Sequence, residues 1–413
     1  MSVTGTAKLV IDMGNSETRV TTIFGKNSKG KSRERLTVFP NTYSSMEEKN
    51  PNKEAKIQSI LNMSEYNEEN SSVFVRNGIT YCNGTMCDIE YRYDQFRPTA
   101  QNRKYEQLIS KLTVINAFKT GYDAIAEIAN CDLDSIDVDW EVTCLLPPAD
   151  IDSQAKLSEM VKIDSKITDM SEKLTGGKAM ANMIRTVKSI DFIMPELKKD
   201  INIKTVEIYP EAFCALIAIM FESQSVLRPE YSYLADPEEV VIIFDIGAGT
   251  TDIVLVIGGR IQANSRFTIN IGGNNIHTLV AENLKELGAE FSDAMVRKAC
   301  VTGVIRKGEQ YLNIKDSINY AKDIVSRQIV NSVQQFFEAK RQNAAEVTRM
   351  LTCGGGSEES TIDGVDSTSD YILKCMKNLS PSIGVVKLPK IDGKQMSPRL
   401  LNIKGATILA EQQ

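Results

Sequence analysis

Twice in this chain an apolar, β-rich run delivers an aspartate into a glycine turn and leaves it as a second strand. The first copy is residues 8–11, then Asp12, then Gly14-Asn15-Ser16, then residues 18–24. The second is residues 240–244, then Asp245, then Gly247-Ala248-Gly249-Thr250, then residues 253–257. Short runs this apolar read as strands buried on both faces. A loop at 25–31 leads on to a third strand at 36–39, and Gly258-Gly259 leads to another from Ile261. Two such meanders point to an internal duplication, and so to an α/β protein of two related lobes. A chain of 413 residues is also too long for one ordinary core.

The stretch 41–70 reads as irregular and polar. A long amphipathic helix is expected at 105–129, with Leu108, Leu112, Ile115, Ala117 and Phe118 on one side. A strand at 138–146 is stopped by Pro147-Pro148. Residues 151–174 read as a polar helix or hairpin on the rim. A strand at 205–209 precedes Pro210, which opens an apolar helix running to Met220. Helices follow at 274–287 and 317–341, a short strand at 349–352 and a last helix at 403–410. The division expected is a first lobe over 1–225, with a smaller subdomain inserted at about 30–135. A second lobe covers 226–395, and a C-terminal helix over 396–413 returns to the first.

A phosphate chain needs converging backbone N–H groups, and glycines let the backbone approach it. A magnesium ion needs carboxylates, usually reached through its waters. Each turn offers both. Gly14, Asn15 and Ser16 on one side, and Gly247, Ala248, Gly249 and Thr250 on the other, would clamp one nucleotide between them. An Asp-X-Gly alone is more often a plain β-turn. The tandem at Asp245 is sharper, and the pair in one strand context outweighs the plain reading.

Arg19 is placed equally for a β-phosphate contact and for an ordinary position on the strand surface. Glu211, one residue after Pro210, reads on spacing alone as a helix-end stabiliser. The other reading is a base that orients the water attacking a γ-phosphate. Gly354-Gly355-Gly356-Ser357 is either a bare backbone for a flat base or a flexible connection. Gly176-Gly177 precedes Lys178 without a following Ser or Thr, so it is not a Walker A loop.

The lone histidine, His277, and eight scattered cysteines without a CxxC pair argue against a zinc site. A net charge of −6 argues against a surface that clings to nucleic acid. No apolar signal segment opens the chain and no apolar run is long enough to span a membrane. Reduced thiols, a cytoplasmic location and no direct membrane contact are therefore expected.

In this order the motifs resemble those of the actin, sugar kinase and DnaK-type chaperone superfamily. Its first phosphate loop corresponds to Ile11-Asp12-Met13-Gly14-Asn15-Ser16 and its first connecting helix to Tyr209-Pro210-Glu211-Ala212. The second phosphate loop corresponds to Phe244 through Asp252, the adenosine loop to Thr352-Cys353-Gly354-Gly355-Gly356-Ser357, and the second connecting helix to Ile403-Lys404-Gly405-Ala406. Within it, the Gly-Asn-Ser loop, Val38-Phe39-Pro40-Asn41 and Leu146-Pro147-Pro148 are most similar to the bacterial ParM-type plasmid-segregation actins.

The resemblance implies an actin-like, ribonuclease H-like fold and the binding of ATP, or GTP, with Mg2+. It gives Asp12 and Asp245 the magnesium shell through water and Glu211 the attacking water, and puts Arg19 in place of a lysine. It also implies a homopolymer filament and a DNA-bound adaptor on a plasmid centromere-like site. A small-molecule kinase of the same fold would need a further Asp base, and none stands out. A chaperone ATPase would carry a β-rich domain beyond the last connecting helix, and a cell-shape actin a terminal amphipathic helix.

Overall fold

The computed structural model describes residues 2–46, 71–76, 79–84, 95–96, 107–147, 175–192, 197–223, 226–286, 288–358, 360–391 and 393–411. The features read at 151–174, most of 41–70 and Pro148 lie outside them.

Five strands form the first sheet, in the order Asn202–Pro210, Ile136–Leu146, Val3–Met13, Glu17–Lys26, Ser32–Pro40. The central strand runs antiparallel to Glu17–Lys26 and parallel to Ile136–Leu146. The second sheet repeats this plan as Gly384–Val385, Arg349–Cys353, Val240–Ile246, Thr251–Ile257, Arg260–Ile269, with the same strand directions. Register repeats as well: Asp12 opposes Arg19, and Asp245 opposes Asp252. The two turns therefore occupy equivalent places in two copies of one topology.

Alternation within the central strands divides the interior into three cores. Leu9 and Ile11 face an outer core under the helix Leu108–Ala129, where Phe118 and Tyr122 meet Trp140 edge-on. Ile242 and Phe244 face the other outer core, under Lys315–Lys340, with Val325 and Ile329. Val10 on one sheet, and Val241 and Ile243 on the other, face a shared middle core. Each such side chain contributes ~1.5–3 kcal/mol when fully buried.

That middle core is filled by two helices, Glu211–Met220 and Leu401–Glu411. Pro210, with a fixed φ and no N–H, ends its strand and starts the first of them without leaving a donor unpaired. The two helices touch where Gly405 meets Cys214. A Cβ on Gly405 would overlap the Cys214 carbonyl, so only glycine allows the approach.

A smaller sheet, in the order Leu197–Asp200, Ser189–Phe192, Ser71–Arg76, Ile79–Gly84, Tyr43–Met46, Gln95–Phe96, adjoins the first lobe. Two of its strands come from residues beyond the inserted stretch at 30–135. The strand Tyr43–Met46 corrects the reading of 41–70 as irregular throughout: Tyr43 and Ser44 are fully buried. Gly176-Gly177 lie in a helix, Thr175–Arg185. Neither that helix nor Asp293–Thr302 and Thr368–Met376 was expected from periodicity, although the last two each carry a serine N-cap, Ser292 and Ser367.

Gly405→Ala is expected to cost ~1–3 kcal/mol or more, because backbone rather than a yielding side chain stands in the way. Chemical denaturation measures this, and a loss below ~0.5 kcal/mol would contradict the close crossing.

Candidate functional site

Both turns are closed by the same bond. Gly14 N–H donates to Glu17 O at 2.9 Å, and Gly247 N–H to Thr250 O at 2.8 Å. A Cβ would lie 2.7 Å from Glu17 O at the first glycine and 3.1 Å from Thr250 O at the second, so glycine lets each turn close. This corrects the expectation for two residues: the amides of Gly14 and Gly247 close their turns and are not left for a ligand.

The amides that follow are placed differently. Gly247 O accepts from Gly273 N–H at 3.0 Å and Ala248 O from Asn274 N–H at 2.7 Å. Across a trans peptide the C=O and the next N–H point in opposite directions. The N–H groups of Ala248 and Gly249 therefore point away from the helix Gly273–Glu286. That helix comes so close because of Gly272, where a Cβ would lie 2.7 Å from Gly247 O and 2.8 Å from Thr250 N.

Asp12 and Asp245 are both buried at their strand ends. Arg19 is not on the strand surface. It is 7% exposed, donates to Asp12 Oδ2 at 3.0 Å and pairs with Glu17 through its other terminal nitrogen. Glu17 in turn receives both Nε, at 2.6 Å, and a terminal nitrogen of Arg399. Asp245 Oδ2 accepts from Asn402 Nδ2 at 2.6 Å. Asp252 accepts from the Thr268 hydroxyl.

Glu211 is 7% exposed in the first turn of its helix, where unpaired N–H groups favour an anion. Two buried thiols record the local field. Cys214 is pushed well above the usual thiol range by burial, then by Asp12 and Glu211. Cys353 is pushed up by burial, then by Asp245, Glu211 and Asp252. Glu211 thus acts on Cys214 together with Asp12, and on Cys353 together with Asp245. Among the described residues no three His, Cys, Asp or Glu side chains converge tightly enough to hold a metal directly.

The triple glycine divides its work. Gly354 has φ +83°, and a Cβ there would lie 2.5 Å from both Asp245 Oδ1 and Ile246 O. A Cβ on Gly356 would lie 2.5 Å from Ile246 Cγ2. Gly355 alone is exposed and faces open space, so the bare backbone available to a flat ring is one residue wide. Ser357 is buried with its hydroxyl donated to Cys353 O, and it does not line an open surface. His277 sits beside Arg297, with burial lowering its pKa.

Arg399 and Asn402 were not visible from sequence. They lie on 397–402, which also supplies Pro398 O to Gly354 N–H at 3.1 Å. This short stretch thus touches the first turn, the second aspartate and the glycine loop.

Residues 243–361, which hold the second turn and the glycine loop, match a family model described as archaeal actin homologue MreB-like, C-terminal. No curated protein matches the sequence. In structure the chain is similar to the actin-like protein Alp7A, at 17% identity and a TM-score of 0.61 over 100% of this chain and 97% of that one. It is similar to a subunit of a 15-stranded ParM filament from Clostridium botulinum, at 16% identity and 0.60 over 99% and 100%. It is also similar to Ta0583, an archaeal actin homolog in complex with ADP, at 12% identity and 0.57 over 98% and 99%. At such identities the likeness is one of fold, and the fold is the actin-like one.

Removing the Asn402 amide leaves a buried carboxylate short of a donor. Asn402→Ala is expected to cost ~1–3 kcal/mol in denaturant unfolding, and a cost below ~0.5 kcal/mol would mean the contact to Asp245 is not formed.

Proposed function

We propose that this chain is an actin-like protein that binds ATP with magnesium, assembles into filaments and hydrolyses the nucleotide, and so moves or pairs plasmid DNA through a DNA-bound adaptor in the cytoplasm. GTP is the alternative nucleotide. The observation that carries this reading is the matched pair of turns: equivalent in topology and register, closed by the same bond, and each beside a buried aspartate.

In this reading the outward amides of Ala248 and Gly249, with those of Asn15 and Ser16, hold the phosphate oxygens. Asp12 and Asp245 hold the waters of a magnesium ion, which would offset phosphate charge in a cleft already crowded with carboxylates. Arg19 neutralises Asp12 and Glu17 first and stands as a fixed positive neighbour to the phosphates. Glu211 orients or deprotonates the water that attacks the terminal phosphate. Gly355 offers the flat face for the base.

The ADP bound to Ta0583 and the filament formed by the Clostridium botulinum protein support nucleotide binding and self-association. A head-to-tail contact that does not close yields an open filament. The adaptor and the plasmid rest on the sequence resemblance to segregation actins.

Light scattering and pelleting with ATP and magnesium test the reading. A rapid rise that later decays is expected, and no rise under EDTA. A flat trace with magnesium present would overturn it. Glu211→Ala should assemble without the decay, with phosphate release lowered ~10²-fold or more. Normal decay in that variant would remove Glu211 from the chemistry.

A further inference from the structure

The two turns are supported by different means. In the second, the carbonyls are drawn back by main-chain amides of Gly273 and Asn274. Among the described residues, no helix N-terminus donates to the carbonyls of the first turn. Asn41 stands there instead: its side-chain Nδ2 donates to Gly14 O at 2.7 Å and its main-chain N–H to Ser16 O at 2.8 Å. The bond to Gly14 O matters most. By the planarity of the 14–15 peptide it sends the Asn15 N–H in the opposite direction, away from Asn41. Among the described residues no acceptor takes that N–H.

The Asn41 amide is itself held in one orientation. Thr113 Oγ1, on the long helix, lies 2.7 Å from Asn41 Oδ1 and 2.9 Å from Ile109 O and has one proton for these two acceptors; Gly14 O can only accept, which sets Nδ2 as the end that faces it and leaves Oδ1 toward Thr113. The backbone on either side of Asn41 is fixed from the smaller sheet: Asn83 Nδ2 donates to Pro40 O at 2.6 Å and to Thr42 O at 3.0 Å. Asn41, Asn83 and Thr113 are all buried. Among the described residues, the buried hydroxyls of Thr18, Ser44 and Thr80 have no hydrogen-bond partner.

We infer that Asn41 is a positioning residue of the first turn: its side-chain amide aims the Asn15 N–H at the phosphate chain, with Thr113 and Asn83 holding Asn41 in place. The inference rests on the proposed nucleotide reading and adds to it a replaceable side chain. It also makes the smaller sheet, through Asn83, part of the support for the phosphate site.

Asn41→Asp keeps the shape and the acceptor for Thr113 but sets a carboxylate oxygen against Gly14 O. Isothermal titration should show MgATP and MgADP affinity falling about tenfold or more, a loss on the scale of one hydrogen bond plus the repulsion. Adenosine affinity should stay within twofold, because the Asn15 amide faces phosphate and not the base. Equal loss for adenosine would reduce Asn41 to a structural residue and overturn the inference. If Asn41→Asp does not fold, Thr113→Val carries the test, with a loss of about threefold or more for the phosphorylated ligands. MgATP affinity within twofold of wild type in the variant tested also overturns it. A wild-type protein that binds no nucleotide would instead remove the reading of the whole site.

Discussion

The contact between Gly405 and Cys214 is the constraint on which the rest of the structure depends. Among the described residues the two sheets share no strand pairing. They are related through two helices that cross in the middle core, and the crossing is close because one position lacks a side chain. Once that distance is set, Glu211 opens one helix next to Cys214, and Asn402 on the other reaches Asp245. The first turn is brought into the same arrangement by Arg399, which precedes the second helix and grips Glu17. Geometry at the candidate site is thus a consequence of packing in the core behind it.

The duplication has been used asymmetrically. Equivalent register positions hold Arg19 in one copy and Asp252 in the other. The arginine is locked between Asp12 and Glu17, while the aspartate takes a threonine hydroxyl. In the proposed reading the ligand is itself asymmetric along its phosphate chain, and a clamp built from two identical halves would not distinguish its ends. Differences in support follow the same line: a helix start backs one turn, a single asparagine the other.

Much of this was readable from residue order, and the reasons differ by element. Central strands are buried on both faces, so their apolar runs stand out without any knowledge of partners. Turn glycines were found because Asp and Gly announce turns locally. Their work was only half foreseen: Gly14 and Gly247 use their amides to close the turns, and Gly354 and Gly356 make room for the strand that ends at Ile246. Arg399 and Asn402 gave no local sign, because each acts on a partner that is remote in sequence; Asn41 stood out only as the end of Val38-Phe39-Pro40-Asn41, with no role attached to it. The short helices Asp293–Thr302 and Thr368–Met376 did carry a usable sign. Ser367 and Asp370 form a reciprocal capping box, a pattern visible in the sequence ahead of any periodicity.

The central claim is that two turns from two lobes make one nucleotide site. Isothermal titration of MgATP into the wild type, Asp12→Ala, Asp245→Ala and the double variant tests it most directly. The account predicts one site per chain, a loss of affinity in each single variant, and a double variant weakened by less than the product of the two, since both aspartates serve one ion. Two binding events per chain, or a single variant that binds as the wild type does, would contradict it.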